Sequence, residues 1–582
     1  MSGRRAVGAR LWVLPVLVSL GALLAGCTTL PESGPVHRQG AEQADAEPDA
    51  PYFNPPGPAE DGSPAAIVSG FLVAMQANPL STSVARTFLS ENAGAAWKPN
   101  GATIVYEAFT VLPSSTGARV QLSDTRRLDS RGGWLGDQPG RSQTLDLRLV
   151  SEDGQWRIDN PPNALVVPTS YFDRSFARFD LFFYDQTGRT LLPDPVFIPR
   201  GEQSATNLVR GLLAGPGEAL SDVATTAFPP GTGLDLSVVV TAGGIAEVPL
   251  TREVLRASPA ELSRCVDQLA WTLRQVPGIE RVRITVDGAP APLTGGRIDA
   301  PVTSGPEFDA AGTGEAFLWG VRSGRVVDLL SGAAVGGALG RPGYALRSLA
   351  VSEVDQRIAA VARNGRAVFV SETQGGGAES PARRVVSGTD LLRPSYDMFG
   401  DLWLLDRTDR GARMLVVRGG QVREVVVPGV TGEDVTAFQV ARDGSRLAVA
   451  YAGNRAASVR VTTILRTDEG LVTGAGRSLR LFPGSDAVRL VDIGWRSPDT
   501  LAVLSRPTTE TSRVTYLSSD GSPTSPALSE ETVFRDASVA MVVSPDQALP
   551  LRLVTPGQRL YTEGGGSWPR TSTRVVAAAY AR

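Results

Sequence analysis

Few residue types capable of catalysis occur in this sequence. The 582 residues include one histidine, two cysteines and one lysine, which are His37, Cys27, Cys265 and Lys98. A zinc site built from cysteine and histidine cannot be assembled from this set, and a Ser-His-Asp triad would have to use His37. A phosphate-binding G-x-x-x-x-G-K-[ST] loop is absent. Carboxylate chemistry remains open, because 60 Asp and Glu residues could supply a catalytic pair.

The best candidates for such a carboxylate pair lie in predicted turns. Asp443 and Asp546 each stand between two short apolar segments. Glycoside hydrolysis uses two carboxylates, but aspartate at such a position is more often a β-turn residue. We therefore predict no catalytic residue, no cofactor and no metal ligand, and we interpret the protein as a non-enzyme.

The first 26 residues have the features of a bacterial lipoprotein signal peptide. Three arginines precede an apolar run over residues 11–24. The run is too short to span a bilayer comfortably, and its flanks are those of a secretory signal. It ends in Leu24-Ala25-Gly26-Cys27, which resembles a lipobox, with two small residues ahead of a thiol that receives diacylglycerol.

This signal predicts where the mature protein lies. We expect cleavage before Cys27, which then carries N-palmitoyl and S-diacylglycerol groups and holds the chain at the extracytoplasmic face of the cell membrane. The alternatives are an ordinary signal peptide with an incidental cysteine, or an uncleaved anchor. Cys265 is the only unmodified cysteine of such a mature chain, so no intramolecular disulfide can form.

Length and charge bound the domain number and the class of partner. A chain of this length is too long for one domain and suggests about three or four. The net charge is −3, and the loss of the signal peptide removes three further positive charges. A negative chain argues against nucleic acid as a partner. Residues 27–63 are rich in Pro, Gly, Ala and acidic residues and are predicted to form a flexible tether.

Residues 64–177 are predicted to form an α+β domain. Apolar residues at helical spacing follow Pro64, and strand-like runs begin near Ile104. A helix-led sheet of this kind can enclose a pocket, but the pattern shows no convergent polar groups. We therefore expect a structural or interaction module.

Residues 178–300 are predicted to form a second α+β domain. One helix is predicted over 204–214, and another begins at the capping box Ser258-Pro259-Ala260-Glu261. Cys265 falls on the apolar stripe of the second helix and is predicted to be a buried structural thiol. Segments of this region resemble the GerMN domain of spore-germination proteins and some actinobacterial lipoproteins, a domain without a known active-site motif. The matching segments include Leu212-Leu213-Ala214-Gly215-Pro216, Phe228-Pro229-Pro230-Gly231-Thr232 and Val286-Asp287-Gly288.

Residues 305–582 repeat a unit in which a polar turn precedes a short apolar strand. Repeats of about 40 to 50 residues made only of strands are typical of β-propeller blades. Extra strands near both ends suggest a ring that is closed by pairing the termini, with six blades expected and five or seven also possible. A β-sandwich is the alternative. The repeated strands include Ile358, Leu402, Leu447, Leu501 and Leu551.

The order of these parts resembles the actinobacterial lipoprotein family LpqB, which combines a lipobox, a helix-led domain, GerMN and a C-terminal propeller. The resemblance implies an accessory protein that acts outside the membrane on the sensor kinase MtrB of the MtrA–MtrB two-component system. Through it, the protein would influence cell division and cell-wall homeostasis. The alternative is a propeller protein that binds or cleaves cell-wall glycan, so that a cell-wall component is its partner.

Overall fold

The computed structural model describes residues 52–581, apart from 115–116, 139–141, 313–316, 375–380, 452–456, 483–487, 525–527, 529–531 and 565–566. We divide them into an N-terminal domain (52–175), a middle domain (176–304) and a C-terminal all-β region (318–581). All three belong to one unit of the chain, Tyr52–Arg582. The predicted signal peptide, Cys27, His37 and most of the predicted tether lie outside the described residues.

In the N-terminal domain, short helices pack against two sheets whose strands are mostly antiparallel. Its first helix begins at Pro64, where the Ser63 hydroxyl accepts a hydrogen bond from the Ala66 backbone N–H at 3.3 Å. Phe71 and Leu72 on this helix are fully buried in the core. The helices are α1 (Pro64–Ala74), α2 (Ser83–Arg86), α3 (Glu91–Ala96) and α4 (Thr169–Ser175).

The two sheets of this domain share one hydrophobic core. One has the strand order β5-β4-β1-β8 and the other β2-β3-β6-β7. Residues ahead of α1 also contact the domain, since Phe53 forms a bridge to Asn78. The strands are β1 (Thr103–Tyr106), β2 (Ala108–Ser114), β3 (Gly117–Ser123), β4 (Thr125–Leu128), β5 (Trp134–Gln138), β6 (Gln143–Glu152), β7 (Gln155–Ile158) and β8 (Leu165–Pro168).

The middle domain is a second α+β unit, as the sequence predicts. Helices α5 (Ser204–Leu213) and α6 (Pro259–Leu273) share a core with the strands. The predicted capping box is confirmed, because Ser258 and Glu261 bond each other's backbone N–H groups at the start of α6. The strands are β9 (Phe176–Asp185), β10 (Leu191–Pro199), β11 (Ala224–Thr225), β12 (Val239–Val240), β13 (Ile245–Pro249), β14 (Arg281–Val286), β15 (Ala289–Pro290) and β16 (Ala300–Pro301).

A buried ion pair joins the N-terminal domain to the middle domain. Arg131 Nη1 lies 2.9 Å from Asp194 Oδ2 and donates to the Gly215 carbonyl at 2.9 Å, while its Nη2 lies 3.0 Å from Asp129. Phe197 of the middle domain is also part of the N-terminal core. Charged and apolar contacts therefore hold this junction together.

The C-terminal region confirms the predicted all-β architecture. Its described residues form six antiparallel sheets that follow one another along the chain, five of four strands and one of three. The first three sheets contain β17 (Leu318–Arg322), β18 (Arg325–Asp328), β19 (Leu346–Ser352), β20 (Arg357–Ala362), β21 (Ala367–Glu372), β22 (Arg383–Ser387), β23 (Ser395–Tyr396), β24 (Leu402–Thr408), β25 (Gly411–Arg418) and β26 (Gln421–Val425).

The remaining sheets complete the ring. They contain β27 (Val435–Val440), β28 (Arg446–Tyr451), β29 (Ser458–Arg466), β30 (Val472–Phe482), β31 (Arg489–Trp495), β32 (Thr500–Arg506), β33 (Ser512–Ser518), β34 (Thr532–Phe534), β35 (Ala540–Val542), β36 (Arg552–Val554), β37 (Arg559–Thr562) and β38 (Arg570–Arg574). The last strand, β39 (Ala577–Tyr580), belongs to the first sheet.

Strand β39 closes the ring, as the position of the extra terminal strands predicts. It pairs with β17 of the first sheet, with Leu318 opposite Tyr580 and Val321 opposite Ala577. The innermost strands β39, β19, β23, β27, β31 and β35 contact one another in turn, and β35 contacts β39 again. Closure of this kind joins the two ends of the region within one sheet.

Candidate functional site

The middle domain lies against one face of the ring. Its contacts fall on turns that join the first and second strands of the sheets and on the end of strand β29. The Arg189 guanidinium lies 5.7 Å from the centre of the Phe399 ring, and Leu465 packs against the core of the middle domain. The Arg466 backbone N–H also donates to Gln186 Oε1 at 3.4 Å. The repeated turns detected in the sequence thus form a docking surface within the chain.

A buried ion pair is the strongest polar contact at this junction. Arg178 on β9 donates to Asp499, which lies in the turn between β31 and β32. The two side chains are only 16% and 8% exposed, respectively. Burial opposes the charged form of Asp499, yet Arg178 and the Ser497 hydroxyl together hold its pKa below the usual value. We name the pair Arg178–Asp499 the interdomain ion pair.

Asp180 lies next to the interdomain ion pair and has a raised pKa. Its Oδ1 is 3.6 Å from Arg178 Nη2 and makes no hydrogen bond among the described residues. Burial raises its pKa to about 7, an effect that Arg178 opposes. Three further carboxylates raise it, and these are Asp499, Asp520 and Asp194.

The raised pKa of Asp180 predicts a pH-dependent stability. Between about pH 4 and pH 7 the folded chain keeps a proton on Asp180 that the unfolded chain releases. The contribution of this group to the free energy of unfolding therefore falls as the pH rises through that window. We expect Asp180→Asn to gain stability relative to the original chain from about pH 5 to about pH 8. Melting temperatures at both pH values measure this difference, with exposed Asp235→Asn as the control; a difference that does not change with pH contradicts the prediction.

A cleft of about 740 Å³ opens beside these residues. Residues of the middle domain, of the segment that leads to the ring, and of the ring turns all line it. Clefts of several hundred Å³ at domain interfaces are common ligand sites. The charged and aromatic lining residues are Arg178, Asp180, Phe182, Trp271, Arg274, Asp309, Asp499 and Asp546. This interdomain cleft is our candidate functional site.

Two aromatic side chains, Trp271 and Phe182, line one side of the interdomain cleft. Trp271 on α6 is 3% exposed, and its indole N–H lies 3.1 Å from the carbonyls of both Ser304 and Gly305. The ring of Phe182 meets it edge to face, with 5.3 Å between the centroids. The Arg274 guanidinium lies 3.6 Å from the centre of the Trp271 ring. Partial burial lowers the pKa of Arg274, although an arginine keeps its charge at neutral pH.

The centre of the ring offers little space for a ligand. The cavity there measures about 30 Å³, which is roughly the volume of one water molecule. Arg393 is bound in this region by Asp492, with N–O distances of 3.0 and 2.9 Å, and by the carbonyls of Met541 and Ile493. The interdomain cleft is therefore the better candidate for binding.

The two predicted carboxylate candidates are turn residues in the structure. Asp443 Oδ1 accepts a hydrogen bond from the Ser445 backbone N–H at 2.7 Å, and Asp546 Oδ1 accepts one from that of Ala548 at 2.9 Å. Both are therefore Asx turns, in which the carboxylate stabilises the backbone two residues on. Asp546 also lines the interdomain cleft, whereas Asp443 is buried. The sequence did not indicate Arg178, Asp180, Arg274 or Asp309.

Cys265 is a buried structural thiol, as predicted. Its Sγ donates to the Ala227 carbonyl at 3.2 Å, and burial raises its pKa to about 12. A neutral buried thiol reacts slowly. We expect iodoacetamide to modify Cys265 only after unfolding in guanidinium, as measured by mass spectrometry of the peptide; modification of the native chain at the unfolded rate contradicts this prediction.

The part of the chain that the structure describes contains neither a cluster of metal-ligating side chains nor a helix able to span a membrane. No group of three or more His, Cys, Asp or Glu side chains is placed to hold a metal ion there. None of the helices within these residues has the length and apolar character needed to cross a bilayer. Cys27, the predicted lipidation site, lies outside this part.

Family models match three successive parts of the chain. The model "Lipoprotein LpqB, N-terminal domain" matches residues 57–173, and "Sporulation and spore germination" matches 180–292. The model "Lipoprotein LpqB beta-propeller domain" matches residues 324–578. The three matches follow the order of the three structural parts.

Curated relatives match along most of the chain. Lipoprotein LpqB of Thermobifida fusca is 28% identical in an alignment of 548 positions, which covers 83% of this chain and 86% of that protein. Lipoprotein LpqB of Streptomyces avermitilis is 27% identical and spans 97% of this chain and 98% of its own. Lipoprotein LpqB of Mycobacterium bovis is 28% identical, with 88% and 89% covered.

Proposed function

Because the chain belongs to the LpqB lipoprotein family, we propose that it is a lipid-anchored accessory protein of the cell envelope that modulates a membrane sensor kinase similar to MtrB. It acts by binding and catalyses no reaction. Palmitate and diacylglycerol on Cys27 hold it at the extracytoplasmic face of the membrane. Anchoring in the same membrane raises its effective concentration for such a kinase.

The observation that carries this proposal is the fixed arrangement of the middle domain on the ring. The buried Arg178–Asp499 pair joins them, and Arg131–Asp194 joins the N-terminal domain to the same unit. A propeller presents rigid turns for protein contacts, and here the other domains are held to it. An arrangement of this kind suits recognition of a second protein, because a structural change caused by binding at one domain can be transmitted to the other domains.

The action on a sensor kinase is tested in cells that lack the protein. We expect its deletion to change the phosphorylated fraction of the cognate response regulator, measured on phosphate-affinity gels, and expression of the original chain to restore it. Crosslinking in intact cells with mass spectrometry of captured membrane proteins identifies the kinase directly. Unchanged phosphorylation together with a normal cell wall would refute the proposal.

The lipid anchor is tested separately at Cys27. We expect labelled palmitate to appear on the original chain and the Cys27→Ala variant to leave the membrane fraction, because a chain without lipid loses its membrane affinity. Cys265→Ala is the matched control, and it keeps both label and fractionation. Equal fractionation of the Cys27→Ala variant and the original chain contradicts the anchor.

A second candidate function is binding or cleavage of cell-wall glycan. The interdomain cleft favours it, since the carboxylates of Asp309 and Asp546 both line this cleft. Incubation of the protein with peptidoglycan separates the possibilities. Release of muropeptides indicates an enzyme, and co-sedimentation without release indicates a binder. If neither is observed, this second candidate function is excluded.

A further inference from the structure

Two opposite charges in the interdomain cleft are not paired with each other. Arg274 and Asp309 both line the cleft. Asp309 is close enough to raise the pKa of Arg274 through its charge, yet no ion pair within 4.0 Å links them or engages either one among the described residues. Arg178, the other cation of the cleft, is already bound by Asp499. Arg274 is therefore the cation available to a ligand, and Asp309 is the carboxylate of the cleft whose charge acts most strongly on it.

The structure holds both groups in place without using their charges. The guanidinium of Arg274 rests on the face of Trp271, whose indole N–H is fixed by the carbonyls of Ser304 and Gly305. Stacking of this kind orients a guanidinium and leaves its N–H groups free to donate. Asp309 Oδ1 accepts a hydrogen bond from the Ala311 backbone N–H at 2.8 Å, which orients the carboxylate.

We propose that the interdomain cleft binds a zwitterionic amino-acid group, with its carboxylate on Arg274 and its ammonium on Asp309. A guanidinium recognises a carboxylate through paired N–H donors, and a carboxylate recognises an ammonium. A ligand group that carries both charges can form an ion pair with each residue. A purely anionic ligand would pair with Arg274 but be repelled by the Asp309 carboxylate. The cleft of about 740 Å³ is larger than one amino acid and has room for a longer molecule that carries this group.

The proposal of this ligand site does not depend on the proposed action on a sensor kinase. Its direct test is isothermal titration calorimetry of the lipidated protein in detergent with three probes of related carbon chain. Diaminopimelate carries an ammonium and a carboxylate at each end, pimelate has only the carboxylates, and 1,5-diaminopentane has only the ammonium groups. We expect diaminopimelate to bind. Pimelate and 1,5-diaminopentane, which carry charges of only one sign, should each bind at least about tenfold more weakly.

Variants connect that binding to the two residues. We expect Arg274→Gln and Asp309→Asn each to weaken binding by about tenfold or more, because each loses one charge-assisted contact. Arg210→Gln, an exposed arginine on α5 of the same domain, is the matched control and leaves binding unchanged. Melting temperatures establish that all three variants fold. A folded Arg274→Gln variant that binds as tightly as the original chain overturns the proposal.

A free amino acid and a cell-wall peptide could both supply this group, and the titration distinguishes them. A soluble muropeptide that contains diaminopimelate forms the second arm of the experiment. Tighter binding of the muropeptide indicates the cell-wall peptide as the source, and equal or weaker binding indicates a free amino acid. Absence of measurable binding for both at millimolar concentration overturns the proposal.

Discussion

Replacing Arg178 by alanine is expected to lower the free energy of unfolding by about 3–5 kcal/mol, the usual cost of removing one partner from a buried ion pair. The variant leaves the Asp499 carboxylate buried at 8% exposure without its guanidinium. Desolvation then opposes the charge on Asp499, and nothing of equal strength offsets it. Urea unfolding measures the loss.

The position of Arg178 predicts a second, local effect. Because the pair joins β9 to the turn before β32, its loss should also loosen the junction between the middle domain and the ring. We expect faster amide hydrogen exchange in residues 176–185 and 496–500 of the Arg178→Ala variant than in the original chain.

An exposed ion pair across the same junction provides the control. Arg477 and Glu218 lie 2.8 Å apart and are 85% and 76% exposed. Exposed pairs contribute little to stability, so Arg477→Ala should leave unfolding and hydrogen exchange close to those of the original chain. Equal effects of Arg178→Ala and Arg477→Ala would contradict the prediction that the buried Arg178–Asp499 pair contributes more to stability than an exposed pair does.

Replacing Arg466 by alanine is expected to destabilise the ring by a similar amount, about 3–5 kcal/mol. Arg466 binds two carboxylates that are almost fully buried, with N–O distances of 2.5 Å to Asp397 and 2.8 Å to Asp401. Its guanidinium also lies 4.3 Å from the centre of the Phe399 ring. Without Arg466, the buried Asp397 carboxylate loses its cationic partner. Asp401 remains bound by Arg418 at 2.5 and 2.8 Å.

The loss at Arg466 should depend on pH. Burial raises the pKa of Asp397, and Arg466 is the main group that opposes this shift. In the variant the folded chain holds protons that the unfolded chain releases, so its stability falls further as the pH rises from about 5 to about 8. Arg413→Ala, which removes a half-exposed partner of Glu424 in the same ring, is the control. Urea unfolding at both pH values measures the effect, and a loss at Arg466 no greater than that at Arg413 contradicts it.

Helix boundaries were the part of the fold best predicted from sequence, because their signals are local. The capping box at Ser258 and the apolar periodicity behind it predict α6, and the structure contains both. The apolar residues between Leu234 and Val240 have a strand-like pattern, yet this edge segment meets β13 only near Leu234 and at Val239–Val240. Alternation of apolar residues predicts a strand, but it does not supply a partner for each residue.

The interdomain cleft could not be predicted because distant parts of the chain form it. Arg178 and Asp499 are 321 residues apart, and neither stands in a recognisable motif. The sequence correctly predicted the turns that carry Asp443 and Asp546, including their role as turn residues. It gave no sign that a second domain packs on those turns, since surface complementarity between folded domains has no periodic signature.

The pairing of β17 with β39 has a consequence for how the chain is made. The first sheet obtains its innermost strand from Ala577–Tyr580, which follows all five other sheets in the sequence. A ribosome must therefore translate the five other sheets before this sheet can be completed. A stop codon just before Ala577 would leave every nascent molecule with an open seam between its first and last sheets.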